Sequence, residues 1–202
     1  MTTVTANRQV VFEKFGKIAR LARECIITEK IDGTNAQVHI LDDGTVLAGS
    51  RNRYITPTDD NYGFAAWVQE HEYELRYGLG PGRHYGEWWG QGIQRGYGLD
   101  HKRFSLFNVS RWTHELTPEC CHVVPVIWSG VFDTAAVNAV VEFLAYTGSV
   151  AAKGFMEPEG IVLYHTASNT LFKKTLYGDE APKSKAVLVT GKQTITSNGV
   201  YV

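Results

Sequence analysis

Apolar and polar residues alternate with a period of two over 36–41, and 26–31 also reads as a strand, which predicts two strands. Leu41-Asp42-Asp43-Gly44-Thr45 carries the Asp-Gly turn signature, so Val46-Leu47-Ala48 should return antiparallel. The spacing then changes. Over 62–77 Phe64, Trp67, Val68, His71 and Leu75 can share one helical face, and Gly78, Gly80, Pro81 and Gly82 should end the helix. Strands are expected at 83–89, 104–109 and 123–127. A second helix should start at an Asp133 N-cap, bury Val137, Val140, Val141 and Leu144, and stop at Gly148. Strands at 160–165 and 170–176 complete the order. Strands and separate helices without regular βαβ alternation predict an α+β fold with antiparallel sheets.

Composition narrows the class. With 202 residues, 44% hydrophobic and 12% aromatic, the chain is long and apolar enough for one packed domain spanning 1–202. No separate C-terminal domain is expected, and 181–202 reads as a Lys-, Ser- and Thr-rich tail. The net charge of -1 means that any polyanion must be bound by a local patch. No apolar run nears the ~20 residues that span a bilayer, so a cytoplasmic protein without membrane contact is expected. The three cysteines are Cys25, Cys120 and Cys121, an odd count without CxxC spacing. The run Cys120-Cys121-His122 suits no common zinc site.

Six segments carry candidate chemistry. In Thr28-Glu29-Lys30-Ile31-Asp32-Gly33-Thr34-Asn35 a lysine stands beside an acid and a glycine, with strand alternation putting Lys30 and Asp32 on one face. Lysine becomes a nucleophile only where the fold removes its proton. In Gly49-Ser50-Arg51-Asn52-Arg53, Arg51 should be carried by the hairpin back towards the start of the Lys30 strand, where a guanidinium can grip phosphate oxygens. Glu87 sits in the aromatic strand His84–Trp89, and a carboxylate there needs a partner such as a ribose hydroxyl or a metal-bound water. The glycines at 90, 92, 96 and 98 have the wrong spacing for a dinucleotide fingerprint. In the next strand Phe104 reads as core, while Phe107 falls one register off and can stack on a purine. Glu159 precedes an apolar strand and suits Mg²⁺ or its water shell, and Lys173 on the strand after it suits a phosphate. Like-charge repulsion from Lys173 could also depress the pKa of Lys30.

In this order the segments resemble the covalent nucleotidyltransferase superfamily, and within it the nick-sealing type of ATP-dependent RNA ligase. The likeness rests on Glu29-Lys30-Ile31 with Gly33-Thr34-Asn35, on Gly86-Glu87 with Gly90 and Gly92-Ile93-Gln94, and on the later acid and lysines, over roughly 25–180. It implies an adenylation domain whose antiparallel sheets flank a nucleotide cleft. The resemblance makes Lys30 the lysyl-AMP carrier and gives Glu159 metal-assisted chemistry. It sets Glu29, Ile31, Arg51, Glu87, Phe107, Lys173 and Lys174 around the nucleotide, and gives Asn35 a part in the polynucleotide steps. ATP, Mg²⁺ or Mn²⁺, RNA ends or a nicked duplex, and RNA-repair proteins are the implied partners. The family's last motif usually reads Lys-x-Lys, whereas here Lys173 is followed by Lys174 and Thr175, which leaves Lys174 or Lys183 as the second lysine. A DNA ligase, a capping guanylyltransferase, an adenylyltransferase with another acceptor, and a non-catalytic nucleotide-binding module stay open on the sequence.

Overall fold

The segment that carries Lys30 forms strand β1 (Glu24–Lys30) in the computed structural model, which describes residues 11–179. Its two faces have separate tasks. Cys25, Ile27 and Glu29 are buried on one, and Lys30 projects from the other. Strand β8 (Val126–Val131) flanks β1 on one side. On the other lie β9 (Gly160–His165) and then β10 (Thr170–Thr175), giving an antiparallel sheet ordered β10-β9-β1-β8.

Helix α3 (Thr134–Thr147) covers the Cys25–Ile27 face and presses Val140 and Leu144 onto Cys25, Ile27, Ile161 and Leu163. The Asp133 carboxylate accepts from the Ala135 N–H at 2.9 Å, and Gly148 ends the helix, so both of its sequence signals hold.

A second, six-stranded sheet contains β2 (Thr34–Ile40), β3 (Val46–Ser50), β4 (Tyr54–Ile55), β5 (Gly82–Gly90), β6 (Lys102–Leu106) and β7 (Cys121–Val123), ordered β4-β3-β2-β5-β6-β7. All its pairings are antiparallel except β6 with β7. Helices α1 (Phe64–Glu70) and α2 (Glu72–Leu79) cover one face, packing Phe64, Val68, Leu75 and Leu79 against Val38, Ile40, Trp88, Phe104 and Leu106. A smaller cluster of Ile31, Trp89, Tyr97, Val124 and Ala152 joins the two sheets. The fold is therefore α+β, as the element order predicts.

Three local expectations change. The single helix over 62–77 breaks into two at His71, whose φ of -100° and ψ of 16° leave helical geometry without a Gly or Pro to announce it. The strand expected at 123–127 is divided between the sheets. Val124 N still donates to Leu106, but Pro125 has no N–H to continue a ladder, and its carbonyl instead accepts from Glu29 N. The strand expected to reach 109 stops at Leu106, because Val109 N turns back to the Phe107 carbonyl. No helix among the described residues is long and apolar enough to cross a membrane. Lys183 and the tail 181–202 lie outside the described residues.

Candidate active site

Lys30 is the last residue of β1, in register with Gly160 on β9 and through it with Thr175 on β10. Glu159 is one step before that rung. Its carboxylate meets the Lys30 ammonium at 2.5 Å, with 22% of the Lys30 side chain exposed and 2% of the Glu159 side chain. Gly160 makes the approach possible. At its φ of +155° a Cβ would lie 2.2 Å from the Lys174 carbonyl, so no other residue fits between β1 and β10 there.

The residues after Lys30 are clamped from the large sheet. A Cβ on Gly33 would fall 2.5 Å from the Trp88 carbonyl, and this close passage lets Gly33 N donate to Glu87 Oε1 at 3.1 Å. Asp32 N donates to the Tyr97 hydroxyl at 2.8 Å, and Arg95 joins the Asp32 carboxylate at 3.0 Å to the Glu157 carbonyl at 2.8 Å. Arg95 and Tyr97 thus tie the turn after Lys30 to the segment before Glu159. Sequence reasoning missed both. They lie in the glycine run at 90–98, and a lone Arg and Tyr between glycines announce no partner 63–65 residues away.

Burial pushes the Glu87 carboxyl up to about 7, against the pull of the Lys30 charge, while Glu159 and Asp32 push it further up. These interactions place Glu87 in the electrostatic neighbourhood of Lys30. Asn35, Glu87 and Ser105 are direct cross-strand partners and so share one face of the large sheet, the face turned away from α1 and α2. Phe107 belongs to the same face, two residues beyond Ser105 and opposite Tyr85, with 40% of it exposed. Phe104 is fully buried on the helix side, as its register predicts. The last β2–β3 rung joins Ala36 to Ser50, so the exposed Arg51 comes level with Asn35. The hairpin therefore returns Arg51 to the end of the Lys30 strand, not to its start.

The small sheet separates the remaining candidates. Thr28, Val162 and Lys173 form one rung, and so share the Lys30 face, whereas Glu29, Ile161 and Lys174 form the rung between and point to the α3 face. Lys173 is two rungs and two strands from Lys30, about 12 Å between backbones. The ion pair of Lys30 is with the Glu159 carboxylate. Glu29 is 1% exposed, and its carboxylate accepts from Ser149 Oγ at 2.6 Å and from Val150 N and Ala151 N at 2.8 Å. Ile31 is buried against Trp89 and Tyr97. The side chains of Glu29 and Ile31 thus hold the fold, and only the backbone of these two residues is left to face a nucleotide. Asp32 also departs from expectation, because β1 ends at Lys30 and the alternation does not extend to it.

The RNA ligase family model matches residues 23–175. This chain belongs to the RNA ligase family. The match covers every element from β1 to β10 and all the candidate residues above. A search of curated proteins finds no match. Among solved structures the chain resembles a Naegleria gruberi RNA ligase. One structure, of a point mutant with ATP and Mn, has a TM-score of 0.56 at 19% identity, covering 76% of this chain and 49% of that one. Another mutant with ATP and Mn gives 0.57 at 18%, covering 78% and 51%. The same ligase with PPi gives 0.57 at 21%, covering 76% and 50%. At these identities the likeness is one of fold, the nucleotidyltransferase type expected from the motif order. The chain spans about half the length of these relatives.

Proposed function

We propose that this RNA ligase family member is an ATP-dependent RNA ligase that works through a lysyl-AMP intermediate on Lys30. The observation that carries the reading is the Lys30–Glu159 pair at 2.5 Å, set at a strand end where Glu87 and the Lys173 face converge. A buried acid holds the one lysine that ends β1, and the remaining cleft residues suit a nucleotide. The reading also draws support from the relatives solved with ATP and Mn and with PPi, the substrate and product of an adenylation step.

Lys30 Nζ, after giving up its proton, attacks the α-phosphorus of ATP. An N–P bond forms, the α–β bridging P–O bond breaks, and pyrophosphate leaves. Lys173 and Arg51 supply positive charge to the phosphate oxygens, Phe107 offers its ring to the adenine, and Glu87 takes the ribose hydroxyls. An RNA 5′-phosphate then attacks the lysyl-AMP phosphorus and frees Lys30. A 3′-hydroxyl displaces AMP and closes the strand, with Asn35 on the face that meets the polynucleotide.

The Glu159 carboxylate beside Lys30 is a hard oxygen donor of the kind a hard divalent cation takes. Glu159 is the residue that would hold Mg²⁺ or Mn²⁺, which would offset charge on the transferring phosphate. Incubation with α-labelled ATP or GTP, followed by nicked RNA or DNA duplexes, tests the reading. The expected result is a covalent adenylate and sealed RNA. A guanylate would indicate capping chemistry, sealing of DNA alone a DNA ligase, and no covalent label a binding module.

A further inference from the structure

A second cluster of ligating side chains stands apart from the Lys30 cleft, on the helix-covered side of the large sheet. We propose that His71, Glu74 and Cys120 bind a thiophilic divalent cation of the zinc class. Their donor atoms, an imidazole nitrogen, a carboxylate oxygen and a sulfur, all lie within 4.8 Å of one another. His71 Nδ1 and Glu74 Oε1 are 3.7 Å apart. Tetrahedral zinc, with bonds of about 2.0–2.3 Å, sets its donors about 3.3–3.8 Å apart. The His71–Glu74 separation of 3.7 Å already fits, and Cys120 Sγ, within 4.8 Å of both, needs a shift of at most about 1 Å to reach zinc spacing.

The chain builds this cluster from two distant segments. His71 and Glu74 are three residues apart across the break between α1 and α2, the spacing that puts two side chains on one helical face. The His71 ring packs against Trp67 with centroids 5.1 Å apart, which limits its rotation. Cys120 immediately precedes β7 and rests half-buried on the same core as Trp67. Cys121 Sγ lies 3.8 Å from Cys120 Sγ, so a second sulfur borders the site from the core. A bound cation would pin the irregular helix junction to the start of β7. The partner of Cys120 is thus His71 and Glu74, not His122, which is why the run 120–122 gave no zinc spacing.

Cobalt is the probe that reads the site without reference to ligation. The full chain, stripped with a chelator and kept reduced by a phosphine, is titrated with Co²⁺ in the absence of nucleotide. A thiolate-to-cobalt charge-transfer band saturating at one equivalent and displaced by Zn²⁺ is expected. Cys120→Ser should abolish the band, His71→Ala should weaken Co²⁺ binding at least about tenfold, and Lys30→Ala should leave it intact. Absence of the band in the folded protein, or its survival in Cys120→Ser, overturns the proposal. Should Cys120→Ser fail to fold, unchanged cobalt affinity in both His71→Ala and Glu74→Ala overturns it equally.

Discussion

The two faces of the small sheet solve the problem of a buried charge in opposite ways. On the α3 face Glu29 is surrounded by neutral dipoles, the Ser149 hydroxyl and two backbone N–H groups, and its carboxylate is tied to one rigid turn. On the cleft face Glu159 is as deeply buried, yet it meets a charged lysine that is itself partly open to solvent. Neutral donors fix a charge in place, whereas an ionic partner can be exchanged for a substrate phosphate or a cation. One residue of β1 separates the two behaviours. Glu29 is held by the fold, and Lys30 is the group to which the proposed chemistry falls.

Removing the Glu29 carboxylate breaks the α3 face most severely. Glu29→Ala would strand the Val150 and Ala151 N–H groups, and should cost about 2–4 kcal/mol of unfolding free energy in a denaturant titration. The folded fraction should still take label on Lys30. A variant that folds normally but no longer accepts label would move Glu29 into the site.

Glu87 sharpens the contrast through pH. Its folded pKa of about 7 lies above its ordinary 4.5, so its contribution to stability is complete below about 4.5 and is lost as pH rises through about 7. Glu87→Gln removes that dependence. Relative to the parent it should gain on the order of 2–3 kcal/mol between acid pH and pH 8, seen in paired unfolding curves. Parallel curves would mean that Glu87 is not ionised at a cost in the cleft.

The two adjacent lysines of β10 test the faces directly. Lys173→Ala should weaken the adenylation step by about 1.5–3 kcal/mol, the worth of a charge-assisted hydrogen bond, while Lys174→Ala on the α3 face should change it little. Rates of label incorporation decide, and equal losses would erase the distinction. Phe107→Ala should act more weakly still, reducing ATP affinity by about 1–3 kcal/mol in a binding titration.

Much of this contrast was legible in the sequence, and the illegible parts have physical reasons. Period-two alternation separates Glu29 from Lys30, and the Asp133 cap, the Gly148 stop and the Phe104 core position follow from local rules. Alternation does not say which face of a strand meets a helix and which a cleft. The family resemblance sets Glu29 around the nucleotide, whereas the fold gives its carboxylate to the turn at 149–151. The break at His71 has no breaker residue. Arg95 and Tyr97 reach Asp32 only through the folded glycine run, a long-range contact that no local pattern encodes. Pro125 did carry a signal, since a proline inside an expected strand argues for two strands rather than one.

Lys30 is the nucleophile of the proposed adenylation step. Incubating the protein with α-labelled ATP and Mg²⁺, then mapping the labelled peptide, tests it most directly. One adenylate on Lys30 is expected, absent from a folded Lys30→Ala variant. Label that persists in that variant, or that maps to another lysine, contradicts it.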